Sequence, residues 1–139
     1  MQILTKFIEI SSKGHSDIID LTPDVHRHLN ASGLQEGQVT VFASGSTAAI
    51  TTIEYEPGLL RDIPDVLNKI APEGAPYHHD ATWGDGNGNS HVRAALLGPS
   101  LTIPFVNGDL LLGTWQQIVL VDCDNRSRNR KISVQFMGI

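Results

Sequence analysis

A single cysteine, Cys123, leaves this chain of 139 residues without an internal disulfide, which points to a reducing, cytoplasmic setting. Long apolar runs are missing too. Nothing approaches the ~20 residues needed to cross a bilayer. Met1-Gln2-Ile3-Leu4-Thr5-Lys6 has neither the apolar core nor the small-residue cleavage site of an export signal, so no membrane partner is expected. Basic residues are scarce, 10 Lys and Arg against 15 Asp and Glu, for a formal charge of −5. Nucleic-acid binders displace counterions with a basic surface, so no nucleic-acid partner is expected either. The one basic cluster, Arg126-Ser127-Arg128-Asn129-Arg130-Lys131, reads first as a solvated hairpin; it is too short to track a polymer but adequate for one small anion. Repeats, low-complexity tracts and linkers are also absent, so residues 1–139 read as one domain.

What is present reads as strands with a few helices. Ile3–Ile10 is β-like and Ile18–Leu21 a short returning strand. Thr22-Pro23-Asp24 starts a helix, with a hydroxyl N-cap and proline at the first position, and Gly33 stops it. Val39–Ala43 and Ala48–Ile53 are rich in β-branched residues. The short polar connection Ser44–Thr47 predicts that they form an antiparallel pair. Leu59, Ile63, Val66, Leu67 and Ile70 make the apolar stripe of an amphipathic helix, and a further helix spans about Asn89–Leu97. Asn107-Gly108 is a hairpin turn. Gln116–Val121 is apolar on both faces and therefore a covered central strand, and Ile132–Phe136 alternates. The sum is an α+β fold: a mostly antiparallel sandwich or barrel-like sheet with two to three helices.

The chemistry concentrates in Tyr77–His91. Three of the six histidines fall there, with Asp80, Asp85, Tyr77 and Trp83. Imidazole and carboxylate groups together are metal-ligand chemistry, and Asp80 and Asp85 could recruit a cation. His91 falls in the first turn of its helix, where the dipole disfavours a charged ring. The same turn, at Asn89 and Ser90, offers N–H groups to a phosphate, as Arg128 and Arg130 offer guanidinium groups. Asp85-Gly86-Asn87-Gly88-Asn89 imitates an EF-hand start, but Ser90 and Leu96 stand where that loop needs glycine and glutamate. Walker and GxGxxG patterns are absent. Cys123, between Asp122 and Asp124, is an unreactive structural thiol. Glu54, at the end of a strand, can act as a general base. Gln116, before the most buried strand, satisfies backbone groups, fills an interface or lines a pocket, and Trp115 suits an interface.

Several runs resemble the signature of the YjbQ family: Ser90–Pro104, then Gly108-Asp109-Leu110, and Leu112-Gly113-Thr114-Trp115-Gln116-Gln117-Ile118. Ser46–Ile50 with Glu54, Tyr77-His78-His79 and Arg128-Asn129-Arg130 fit its other motifs. The resemblance implies a β-rich α+β fold assembled as a homotrimer. It implies a site with His79 and His91 as metal ligands and Glu54 nearby, and a thiamine-phosphate synthase activity found in some members. The expected set is therefore Glu54, His91 and Gln116 as catalytic residues and His79 and His91 around a divalent zinc or magnesium. Asn89, Ser90, Arg128 and Arg130 are expected at a small anionic or phosphorylated ligand. The family commonly has histidine where this chain has Gly45, which removes one possible ligand. Two other functions use the same residues: a non-catalytic trimeric module binding a small ligand or metal, and a metal-dependent hydrolase.

Overall fold

Eight strands pair only in antiparallel fashion, and they divide between two sheets. A computed structural model describes all residues from Met1 to Ile139. The strands are β1 (Gln2–Ser12), β2 (Asp17–Asp20), β3 (Glu36–Ala43), β4 (Ala48–Ile53), β5 (Ser100–Val106), β6 (Asp109–Leu110), β7 (Gln117–Asp122) and β8 (Arg128–Gly138). The helices are α1 (Thr22–Ser32), α2 (Leu59–Ile70), α3 (His78–Trp83) and α4 (Gly88–Leu97). One sheet has the order β1-β8-β3-β5-β6 and the other β2-β7-β4. The α+β sandwich-like class is as expected, with four helices rather than two to three.

The main core lies between the sheets. Val39, Val41, Phe105, Ile132, Val134 and Phe136 from the larger sheet meet Ile50, Ile118 and Leu120 from the smaller, with Val25 and Leu29 of α1 closing the layer. Each such fully buried side chain contributes roughly 1.5–3 kcal/mol. The smaller sheet is covered on its other face as well. There Val119, Val121 and Cys123 pack with Ala49, Ile18 and Leu67 of α2, and Leu97 of α4 adjoins them. This double covering is why Ile118–Val121 is apolar at every position: β7 has no solvent face. The outer face of the larger sheet is open and carries Ile3, Phe7 and Phe42.

Several local expectations change. β3 and β4 do not form a hairpin: β3 lies between β8 and β5, while β4 pairs with β7 in the other sheet. The Ser44–Thr47 connection thus crosses between sheets. At α1, Thr22 is not the side-chain cap. Its hydroxyl accepts the Ile118 N–H at 2.8 Å, and Asp20 accepts the Thr22 N–H at 3.0 Å. In α2 only Leu67 is buried, with Ile63 packed alongside, whereas Val66 and Ile70 are exposed. Asn107 and Gly108 both have positive φ, 55° and 77°, as the β5–β6 hairpin requires.

Candidate functional site

The polar segment Tyr77–His91 folds into two successive helices, and the joint between them builds the site. α3 is a single short helix ended by Gly84 in a left-handed conformation. α4 follows after the Asp85–Asn87 turns. Gly88 is obligatory at the joint, because a Cβ there would lie 2.5 Å from Cβ of Tyr77. Asp80 ties the two helices: its Oδ1 accepts the Gly88 N–H at 2.9 Å and lies 3.2 Å from Nδ1 of His79. That carboxylate occupies the electropositive start of α4, where an anion is favoured. His79 Nδ1 also lies 3.6 Å from an Asp85 oxygen. One ligand-type atom from each of His79, Asp80 and Asp85 falls within 4.8 Å of the others. The His91 ring rests against His79, with centroids 4.3 Å apart.

Asn89 and Ser90 sit on the buried side of α4. Asn89 Nδ2 and Ser90 Oγ have no hydrogen-bond partner in the protein, a condition that ordinarily calls for a water or a ligand. His91 faces a cleft of about 370 Å³ that it shares with Gly45, Ser46, Ala48, Ala94, Ala95 and Pro99.

Behind that cleft lies a buried charge network that sequence reasoning missed. Asp122 is fully buried, and Arg130 grips it with two nitrogens: Nε to Oδ2 at 2.7 Å and Nη2 to Oδ1 at 2.8 Å. Arg130 Nη2 also donates to Thr47 Oγ1 at 2.8 Å, and Thr47 donates to Asp124 at 2.9 Å. Arg128 pairs with the same Asp124 oxygen at 2.8 Å. Both arginines thus direct charge at internal carboxylates, whereas they had been expected to serve a phosphate. The missed signal was Asp122 and Asp124 themselves, two acids closing the most apolar strand. Burial alone pushes the Asp122 carboxyl up, but hydrogen bonds from Arg130, Ser12 and the Asp124 N–H outweigh it and hold the pKa below the usual value. Beside them, Cys123 is pushed up to about 11, chiefly by burial and only secondarily by Asp122.

Glu54 and Gln116 lie elsewhere. Ala48, next to His91 in the cleft, pairs with Asp122 at one end of the β4–β7 ladder, and Ile53 pairs with Gln117 at the other. Glu54 follows Ile53, so it stands roughly 20 Å from Ala48 at 3.3 Å per residue. It is exposed. Gln116 lines no pocket and is exposed at the same end; its amide satisfies a backbone group, accepting the Gly113 N–H, and donates to Thr52 Oγ1, both at 3.0 Å. Trp115 is 70% exposed. Within one chain, then, His79 and His91 come together, with Asn89 and Ser90 on the buried side of the same helix, while Arg128 and Arg130 are engaged by Asp122 and Asp124, and Glu54 and Gln116 lie apart.

A family model described as "UPF0047 protein YjbQ-like" matches residues 6–139. The chain is 40% identical over 138 residues to a UPF0047 protein of Methanothermobacter thermautotrophicus, covering 99% of this chain and 94% of that one. Among solved structures, a YbjQ-like protein of unknown function from Sulfolobus solfataricus superposes with a TM-score of 0.89 at 30% identity, covering 99% of this chain and 100% of the other. An uncharacterized YjbQ/UPF0047 protein from Clostridium acetobutylicum superposes with a TM-score of 0.83 at 37% identity, covering 94% and 99%.

Proposed function

This chain belongs to the UPF0047 family of YjbQ-like proteins, and we propose that it holds a divalent cation with His79, Asp80 and Asp85 and acts on a small phosphorylated substrate. The observation that carries this reading is the convergence of those three donors within 4.8 Å. One imidazole nitrogen with two carboxylate oxygens suits magnesium, manganese or zinc. His91, against the His79 ring, completes the ligand set or moves a proton. The unpartnered Asn89 Nδ2 and Ser90 Oγ support a polar ligand contact there, whereas the start of α4 is already taken, by Asp80 at the Gly88 N–H and by the Asn87 carbonyl at Ser90 and His91.

The family resemblance supplies the specific candidate, thiamine-phosphate synthesis. A bound cation would neutralise the departing pyrophosphate. The test is calorimetric titration with manganese and zinc, alongside thiamine-phosphate formation. We expect Asp85→Asn and His79→Ala each to weaken metal binding at least tenfold and to abolish product formation. Wild-type protein that binds neither metal at millimolar concentration sinks the proposal.

The position of Glu54, distant from the histidines, favours a second reading: a non-catalytic module that binds metal or ligand only. Metal binding without product formation selects it. Assembly as a homotrimer belongs to either reading, supported by exposed Ile3, Phe7, Phe42 and Trp115, and would make the Glu54 end of one chain available to another. Sedimentation should then give about three times the 15.1 kDa chain mass. The lone buried Cys123 supports a reducing, cytoplasmic setting, and no helix is long and apolar enough to cross a membrane.

A further inference from the structure

We propose that Arg93 is the positioning residue of the histidine pair: it fixes the rotation of α4 and so holds the His91 ring against His79. Arg93 is 2% exposed and forms no ion pair. Its guanidinium donates instead to three neutral acceptors: Nε to the Ala71 carbonyl at 2.9 Å, Nη1 to Ser16 Oγ at 2.9 Å and Nη2 to Asn68 Oδ1 at 3.0 Å. Asn68 lies in the last turn of α2, Ala71 caps that helix, and Ser16 belongs to the turn between β1 and β2. A buried cation without a counter-charge costs stability, and an apolar side chain of like size would not. What an apolar side chain lacks is a planar fork with fixed donor directions.

Little else fixes α4. Its buried positions are Gly88, Asn89, Ser90, Arg93 and Ala94, none of them a large apolar side chain, and Leu97 is only partly buried. Such a face offers no large ridge to a neighbouring groove. The anchors that Arg93 reaches are rigid by comparison. Gly14, His15 and Ser16 have successive φ values of 74°, 55° and 65°, a left-handed run that persists only where its surroundings impose it. The His15 and Ser16 N–H groups donate to the Asp124 and Asp122 carbonyls at 2.7 and 2.8 Å, which ties the turn to the end of β7. His91 lies two residues before Arg93, about 200° around the helix, so an inward Arg93 turns His91 outward to His79. Side chains reach about 5–6 Å from a helix axis, and a roll of about 20° moves such a ring by about 2 Å. That parts rings whose centroids lie 4.3 Å apart.

The test compares Arg93→Met, Asn68→Ala and Val25→Ala with the wild type. Ring-proton NMR signals of His79 and His91 are recorded in chelator, and manganese affinity is measured by calorimetry. In Arg93→Met the rings separate, so both signals should move toward those of a free imidazole, and manganese affinity should fall roughly tenfold or more. Asn68→Ala removes one tether from an exposed helical position, where alanine favours the helix. It should move the ring signals the same way by less, with the melting temperature not lowered. Val25 lies in the main core, on the other side of the smaller sheet from α4. Val25→Ala should lower the melting temperature and leave both readouts at their wild-type values.

The manganese measurement rests on the proposed cation site, whereas the ring signals do not. Wild-type protein that binds no manganese refutes the cation and leaves the rings to decide the role of Arg93. The inference is overturned if folded Arg93→Met or Asn68→Ala keeps the wild-type ring signals, or if Val25→Ala displaces them as much. Should Arg93→Met fail to fold, Asn68→Ala decides alone.

Discussion

Asp80 reaches from α3 to the first turn of α4 and accepts the Gly88 N–H at 2.9 Å. The same oxygen lies 3.2 Å from His79 Nδ1, so one carboxylate both caps a helix and orients a proposed ligand. Asp80→Ala should cost about 1–2 kcal/mol, the worth of an anionic cap, or a melting point lower by roughly 4–8 °C. Asp80→Asn keeps an acceptor but not the charge, and should recover part of the stability without recovering metal affinity. Thermal melts and metal titrations on the two variants separate these roles.

Gly88→Ala places a Cβ 2.5 Å from that of Tyr77. Overpacking of this kind costs about 1–3 kcal/mol. Tyr77→Gly in the same chain, which removes that Cβ, should relieve part of it, and a double-mutant cycle by urea unfolding measures the coupling. Strictly additive effects would contradict the clash.

Arg130→Met leaves Asp122 buried without its cation, and breaking such a pair costs about 3–5 kcal/mol. The pH dependence follows from the lowered Asp122 pKa. A carboxyl bound more weakly by protons in the folded state contributes stability that is fully present above its unfolded value, near 4, and is lost as pH falls through the lower folded value. Urea midpoints between pH 5 and pH 2 should therefore fall more steeply for the wild type than for Asp122→Asn.

Cys123 should be inert in the native state. With the thiol raised from about 9 to about 11 by burial, its thiolate fraction drops about a hundredfold, and burial blocks access besides. Labelling with an aromatic disulfide at pH 8 should be at least that much slower than in denaturant. Fast native labelling would mean that the α2-covered face of the smaller sheet opens readily.

Local chemistry is legible wherever a residue's own neighbours decide its conformation. The turn at Asn107-Gly108 and the helix end at Gly33 follow from their preference for positive φ. The fully apolar run Ile118–Val121 could only be a strand covered on both sides, and it is. Grouping His79 with His91 was also within reach, because only a dozen residues separate them and α3 and α4 meet at the Gly88 joint.

Other features depended on contacts distant in sequence. A short polar connection suits a hairpin and a crossing between sheets equally well, and the pairing of β3 with β8 and β5 and of β4 with β7 decides between them. Val66 and Ile70 carry the same helical period as Leu67, but only the smaller sheet decides which side of α2 it covers. Along β8, Arg128 and Arg130 alternate with Asn129 and Lys131, and pairing with β1 and β3 sets the register that turns Arg130 inward to Asp122. Motif runs such as Leu112–Ile118 thus carried the resemblance to the family, while composition and short-range pattern determined the class of fold and the segment where the histidines gather. Tertiary structure alone decided that Glu54 stands at the far end of β4 and that Arg130 serves Asp122, because a strand carries its residues ~3.3 Å apart and only register determines which of them meet.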